Sequence, residues 1–322
     1  MADFVQTLIT TVEVGSLYAL IALGYTMVYG ILQFINFAHS DVVVLGAWMS
    51  FTVASRILPR LGLDPRDPQV PPPFWVGAVV LLAAMATCAI VGFLIERLAY
   101  RPLRRAPRIN VLITAIGVSL LLQNVGALNG VFGAVPEKMP PLLPGTELIR
   151  WSFESGGQTQ DVVIRLIDLV LLVTAGGLML ALEYLVYRTK LGTAMRAVSF
   201  NTETASLMGI PVDRVVSFTF VLGSMLAAAA GFLYSMKYPS LSHPASTTWV
   251  LVGLKAFVAA VIGGIGNIRG AVVGGLIIAF VEQFGSFYIS TNYRDFYVFA
   301  LLILILLVLP NGILGSPVRE KV

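Results

Sequence analysis

The sequence predicts an all-α, polytopic integral membrane protein, and three observations carry that class. Of 322 residues, 57% are apolar and 12% charged, and the mean hydropathy is +0.86; soluble domains carry about 25% charged residues. Several apolar runs reach the roughly 20 residues that a spanning helix needs. Strand alternation is absent, which argues against an outer-membrane barrel. The segments number about eight to ten, transmembrane or re-entrant. A net charge of +4 fits Lys- and Arg-rich loops facing the cytoplasm and anionic lipid, and nucleic acid is not an expected partner. The one cysteine, Cys88, excludes an internal disulfide. The N-terminus has no basic region and leads into a run long enough to span, so it reads as a first helix and not a cleaved leader.

The first helix is expected over 4–32. Glu13 is read as facing water near its end, and Gly15 and Ala19, four apart, as small residues for close helix contact. A polar break follows, with Asn36, His39, Ser40 and Asp41 between two runs that otherwise read as membrane helix. A bilayer core offers no water to such groups, so they must be buried in protein or line a cavity. This break is therefore the first place to look for a pathway. Ser40 and Asp41 are read as N-cap chemistry for a second helix reaching about residue 57.

A proline-rich loop over 56–73 cannot continue that helix. Further helices are expected over 74–98, 109–131, 166–187, 215–236, 249–262, 271–287 and up to 309, with Gln123 and Asn124 late in the fourth. The run over 249–262 is short for a full crossing at about 1.5 Å per residue and contains Lys255. Basic clusters at Arg97, Arg101, Arg104, Arg105 and Arg108, at 188–190 and at Arg319 and Lys321 mark the cytoplasmic side. The whole chain, 1–322, is read as one membrane domain, with an external loop over 132–165, a cytoplasmic loop over 188–214, the N-terminus outside and the C-terminus inside. Both halves contain a long helix, an interruption (36–41 and 263–270) and another apolar run, which makes two weakly related halves. Paired interruptions point to binding sites in transporters, and either one is a candidate re-entrant segment.

Within 188–214, Asn201 or Thr202 can cap a short helix, and Glu203 in its first turn suits the helix dipole. Gly209 can end that helix before Pro211. The stretch Gly263-Gly264-Ile-Gly266-Asn-Ile-Arg-Gly270 superficially matches a dinucleotide fingerprint, but the third glycine is displaced and no strand precedes it. Gly266, Gly270 and Gly274, four apart, are better read as close helix packing or a hinge. His39 is not expected to bind metal: the other histidine is His243, and no Cys/His cluster exists.

The pattern Glu203-x-Ala205-x-x-x-Gly209 resembles the start of the coupling-loop motif of ABC importer permeases. GSLYALIALGYTMVYGILQFINFAHSD, RAVSFNTETASLMGI, GLKAFVAAVIGGIGNIRGAVVGG and FALLILILLVLPNGILG, in that order, are similar to the branched-chain amino acid permease family in its shorter, H-type subunit. The Ile-Leu-Pro ending of the general motif is missing, and Ser40 stands where the family pattern has glycine. The resemblance implies half of a translocation pore in a bacterial inner membrane, moving leucine, isoleucine or valine inward by alternating access. It implies a second homologous permease subunit, two cytoplasmic ATPase subunits and an external substrate-binding protein. Arg196, Asn201, Glu203, Ala205 and Gly209 would form the ATPase coupling loop. No cofactor is expected on this chain, which has no phosphate-cradling G-x-x-x-x-G-K-[ST] loop; ATP would be hydrolysed by the partners.

The substrate pathway is expected at Phe34, Asn36, Phe37, His39, Asp41, Trp48 and Lys255. Helix N-termini at the break would meet the substrate carboxylate, Asp41 its ammonium group, and Phe34, Phe37 and Trp48 its side chain. The alternative for the three ionisable residues is purely structural, as paired or capped groups that hold the break. Permeases for urea or short-chain amides look similar. A self-contained secondary transporter using Asp41 and His39 as ion sites is the rival mechanism. A membrane enzyme lacks a convincing nucleophile–base set.

Overall fold

The computed structural model describes residues 2–67, 72–104, 106–155 and 158–315. Arg105, Arg319, Lys321 and part of the proline-rich loop, used above to place loops and the tail, lie outside the described residues. In chain order the helices are α1 Ala2–Leu32, α2 His39–Thr52, α3 Trp75–Ile95, α4 Arg108–Ala127, α5 Leu166–Arg188, α6 Lys190–Phe200, α7 Thr202–Leu207, α8 Val212–Lys237, α9 Thr247–Gly263, α10 Ile268–Tyr288 and α11 Arg294–Val308. Among the described residues, eight segments are long and apolar enough to cross a membrane, and α9, with 17 residues, is shorter. π turns over Val53–Ile57 and Glu96–Tyr100 extend α2 and α3, and both extensions stop in short 3-10 turns containing Pro59 and Pro102. Proline has no N–H to continue the ladder.

Contacts fix the direction of each helix. Gln6 of α1 accepts from Val163 N at 3.1 Å, and the Phe4 and Phe284 rings meet at 5.5 Å. The start of α1, the end of α10 and the 147–165 segment therefore share one end of the bundle. At the other end, Ile313 N and Leu314 N donate to Ile262 O and Gly263 O, so the chain leaving α11 meets the end of α9. α9 thus runs antiparallel to α10 despite its length. The N-terminus and the end of α11 lie at opposite ends.

α1 and α8 are the most buried spans and α11 the least. Small residues let the inner helices approach closely, as the spacing of Gly15 and Ala19 implied: a Cβ on Gly15 would meet the backbone of Leu276, and one on Gly275 would meet Ala19. Leu, Ile and Phe side chains on α3, α4, α5 and α11 point outward, as lipid requires.

Three expectations change. Glu13 does not face water: it is 1% exposed and ion-paired with Lys237, which also binds Asp168 at 2.9 Å. A charge this far along a packed helix is buried by its neighbours and must be paired. Second, the 132–165 connection is not irregular throughout. β2 Glu147–Ser155 and β3 Gln158–Arg165 form an antiparallel hairpin, and β1 Glu137–Lys138 pairs with β4 Ser240–Leu241. This last pairing holds the 132–165 connection and the turn after α8 at the same end. Third, Gly266 is not part of a helical packing stripe. It lies in the turn between α9 and α10, at φ +93.

Candidate functional site

The break between α1 and α2 is an interior feature. Gln33, at φ +55, reverses the chain at the end of α1 and donates to Tyr29 O at 2.8 Å. The chain then turns back into the bundle. α2 begins with His39 Nε2 3.2 Å from Ile21 O, a depth of about 16 Å from the end of α1 at 1.5 Å per residue. This return is possible because Gly24 has no side chain, since a Cβ there would collide with the His39 ring. The ring also packs edge-on to Tyr25 at 4.6 Å.

Ser40 and Asp41 do not cap α2. The N-cap is Ala38, which makes no side-chain cap. The Ser40 hydroxyl instead donates to Phe37 O at 3.1 Å, and Asp41 Oδ1 accepts from Gln123 Nε2 of α4 at 2.8 Å. Both oxygens are claimed by tertiary or backward-pointing bonds. Asp41 still lies in the first turn of α2, where a carboxylate suits the dipole. Asp41 Oδ2 is buried and has no hydrogen-bond partner. Ser40 lies against Gly253 of α9, where a Cβ would collide with the Ser40 side chain.

The structure separates the residues of the expected pathway. Phe37 and Ser40 border a cavity of about 210 Å³ between α1, α2, α4 and α9, with Tyr25, Ser119, Gln123 and Phe257. Asp41 faces a much smaller space on the other side of Gln123. Asn36 Oδ1 accepts from Tyr100 OH at 2.6 Å, and the Phe34 ring lies 5.2 Å from Tyr100. Trp48 is fully buried, stacked on Phe132 at 5.5 Å, with its indole N–H donating to Ser242 O at 3.2 Å. Lys255 is on another face of α9, bonded to Glu282 Oε1 at 2.8 Å and Asp295 Oδ1 at 2.6 Å. Gln123 joins both spaces at the start of α2, a role not assigned to it from sequence. The available signal was an amide four residues from Ser119, to which it also donates at 3.2 Å.

In the 188–214 segment, Asn201 is the cap: its Oδ1 accepts from Thr204 N at 2.9 Å. Ala205 is buried, Glu203 is exposed, and Gly209, at φ +80, ends the turn. Arg196 lies over the Tyr187 ring at 5.5 Å. Phe200, Leu207 and Met208 are 82%, 86% and 79% exposed, an apolar tip on a polar loop. Asp213, just beyond, pairs with Arg101 and Arg104, and Arg104 also pairs with Glu96. Arginines read from sequence as topology marks thus tie this segment to the end of α3. In the glycine-rich turn, Gly263 and Gly270 pack backbone to backbone, Gly274 lies on Ala259, and Gly264 takes φ +105.

An apolar helix bundle with a polar break at depth and a short-helix loop at one end has the build of a transport permease. The chain belongs to the family described as branched-chain amino acid transport system / permease component, which it matches over residues 7–308. It is 42% identical over 321 residues to the high-affinity branched-chain amino acid transport system permease protein LivH of Escherichia coli K12, covering 99% of this chain and 98% of the relative. It is 41% identical over 323 residues, with the same coverage, to the corresponding protein BraD of Pseudomonas aeruginosa. The probable branched-chain amino acid transport permease LivH of Methanocaldococcus jannaschii is 29% identical over 94% of this chain and 89% of its own length. No solved structure matches the chain.

Proposed function

We propose that this chain forms half of the pore of an ATP-driven importer for leucine, isoleucine and valine. It works with a second homologous permease subunit, two ATPase subunits and an external binding protein. Its N-terminus faces outside, and the 188–214 segment and C-terminus face the cytoplasm. It binds no cofactor, and ATP is consumed by the partner subunits. The observation that carries this reading is the apolar tip of Phe200, Leu207 and Met208, presented beside the Asn201-capped α7 on a segment otherwise exposed to water. Exposed apolar side chains rimmed by polar residues fit a protein partner.

Closure of the ATPase pair would push α6 and α7. The push reaches α8 directly and α3 through Asp213, Arg101 and Arg104, and so changes the packing around α2. Phe37 and Gln123 line the cavity that this packing encloses, and Gln123 links it to Asp41. Leu207→Asp combined with Met208→Asp should abolish copurification of the ATPase subunits from native membranes while the permease still reaches the membrane. Retained copurification would overturn the docking assignment. Binding-protein-stimulated ATP hydrolysis with leucine and not with urea would fix the substrate class. Asp41→Asn keeps an acceptor for Gln123 but removes the carboxylate charge that would meet the substrate ammonium, and should lower leucine uptake roughly tenfold without loss of assembly; unchanged uptake would remove Asp41 from the pathway.

A further inference from the structure

α9 has two lined faces. Val250, Leu254 and Phe257 border the cavity at the start of α2, while Thr248, Val252 and Lys255 border a second cavity of about 320 Å³ between α1, α8, α9, α10 and α11. That volume falls within the roughly 300–1,000 Å³ of small-molecule pockets. Its charged groups are Lys255, Glu282, Arg294 and Asp295, and Tyr18, Tyr234, Tyr238 and Thr248 add hydroxyls to its lining. Lys255 and Arg294 both pair with Glu282 Oε1, and Lys255 also pairs with Asp295. Glu282 is fully buried, and its Oε2 has no hydrogen-bond partner. Val14, Leu17, Ile21 and Val252 supply an aliphatic wall. Asp295 is half exposed, so the cluster is reached from the end of the bundle that carries the N-terminus.

We propose that this cavity is a recognition site for a free, zwitterionic aliphatic amino acid. The assignment rests on the importer reading and adds a substrate station on that path, separate from the start of α2. The four charges, two of each sign, sum to zero and are linked by three cation–anion contacts. A zwitterion can exchange into them, its carboxylate taken by Lys255 and Arg294 and its ammonium by Glu282 Oε2 and Asp295, with the net charge of the buried site unchanged. A solute of net charge would leave one charge uncompensated in a low-dielectric interior, which is heavily penalised. The site therefore selects neutral amino acids over arginine or glutamate, and the aliphatic wall selects an apolar side chain.

The test is a labelling experiment on the assembled complex carrying Thr248→Cys, which puts an exposed thiol on the cavity wall. The native Cys88 is buried and stays out of the reaction. Labelling by a small methanethiosulfonate is followed nucleotide-free and with the ATPase subunits trapped by vanadate. Millimolar L-leucine should slow labelling in one of these states, while arginine, glutamate and 4-methylpentanoate, which lacks the ammonium, should not. Adding Glu282→Gln should weaken leucine protection roughly tenfold or more, as loss of a charged hydrogen bond does. Leu251→Cys, on the same cavity, serves if Thr248→Cys does not assemble. Equal labelling with and without leucine in both states, alongside leucine uptake by the unmodified complex, would overturn the site and leave the importer reading standing. Failure of the unmodified complex to take up leucine would instead sink the importer reading and this site with it.

Discussion

The break at 33–38 and the turn at 264–267 both interrupt long apolar helices with polar or glycine residues, yet they are built differently. The turn is capped from within, and among the described residues its one distant side-chain bond is Asn267 Nδ2 donating to Leu314 O at 2.8 Å, also at the bundle end. Gly264 and Gly266 take positive φ, and Asn267 Oδ1 caps α10 by accepting from Arg269 N and Gly270 N at 3.0 and 3.2 Å. Gly266 and Arg269 are exposed at the bundle end. The break is satisfied by other helices: Asn36 by Tyr100 beyond α3, His39 by Ile21 of α1, and Asp41 by Gln123 of α4. Of the two, only the break re-enters the bundle. An interruption that meets its own hydrogen bonds can stay at the water-facing end. One that borrows partners from distant helices is held at depth and moves only when they do.

Substitutions can break or sharpen this contrast, from the largest effect downward. Gly24→Val puts a branched side chain into the His39 ring and the path of Gly223 O. Overpacking of this kind should cost about 3 kcal/mol, read as a large fall in the thermal midpoint of the purified permease in mild detergent. A midpoint close to the unmodified protein would mean that α2 does not start at this depth. Tyr100→Phe removes the donor to Asn36 and leaves a buried acceptor unmet, for about 1–3 kcal/mol by the same assay. Gly266→Ala asks an L-residue to hold φ +93 in an otherwise roomy turn, at a cost of about 1–3 kcal/mol expected near the lower end. Arg269→Ala removes an exposed pair with Glu183 and should leave the thermal midpoint close to that of the unmodified protein, because solvent screens such a pair. If Arg269→Ala costs as much as Tyr100→Phe, the exposed turn depends on its side-chain partners as heavily as the buried break does.

The arrangement of the helices was legible because lipid and backbone chemistry leave few options. Apolar runs must be helices, and the proline-rich stretch from residue 59 stops the second of them. The cap at Asn201 and the positive-φ glycine at 209 were legible for the same reason, since each acts on residues next to it. The break was legible as a break, but its cap was misread: Ser40 and Asp41 have the right chemistry, and Gln123, 82 residues away, claims Asp41. Glu13 was misplaced because Lys237, on another helix, buries and pairs it. Lys255 and Asp41 read as one constellation, yet α9 holds Lys255 on another face.

The sequence by itself therefore determined the membrane class, the order of helices and the local devices that start and stop them, because those depend on contacts a few residues apart. Tertiary structure alone decided which interruption returns to depth, which ionisable groups share a cavity and which helix face each one meets. Those outcomes depend on partners brought together only when the helices pack, and in a medium without water a buried charge is placed by its partner and not by its neighbours in the chain.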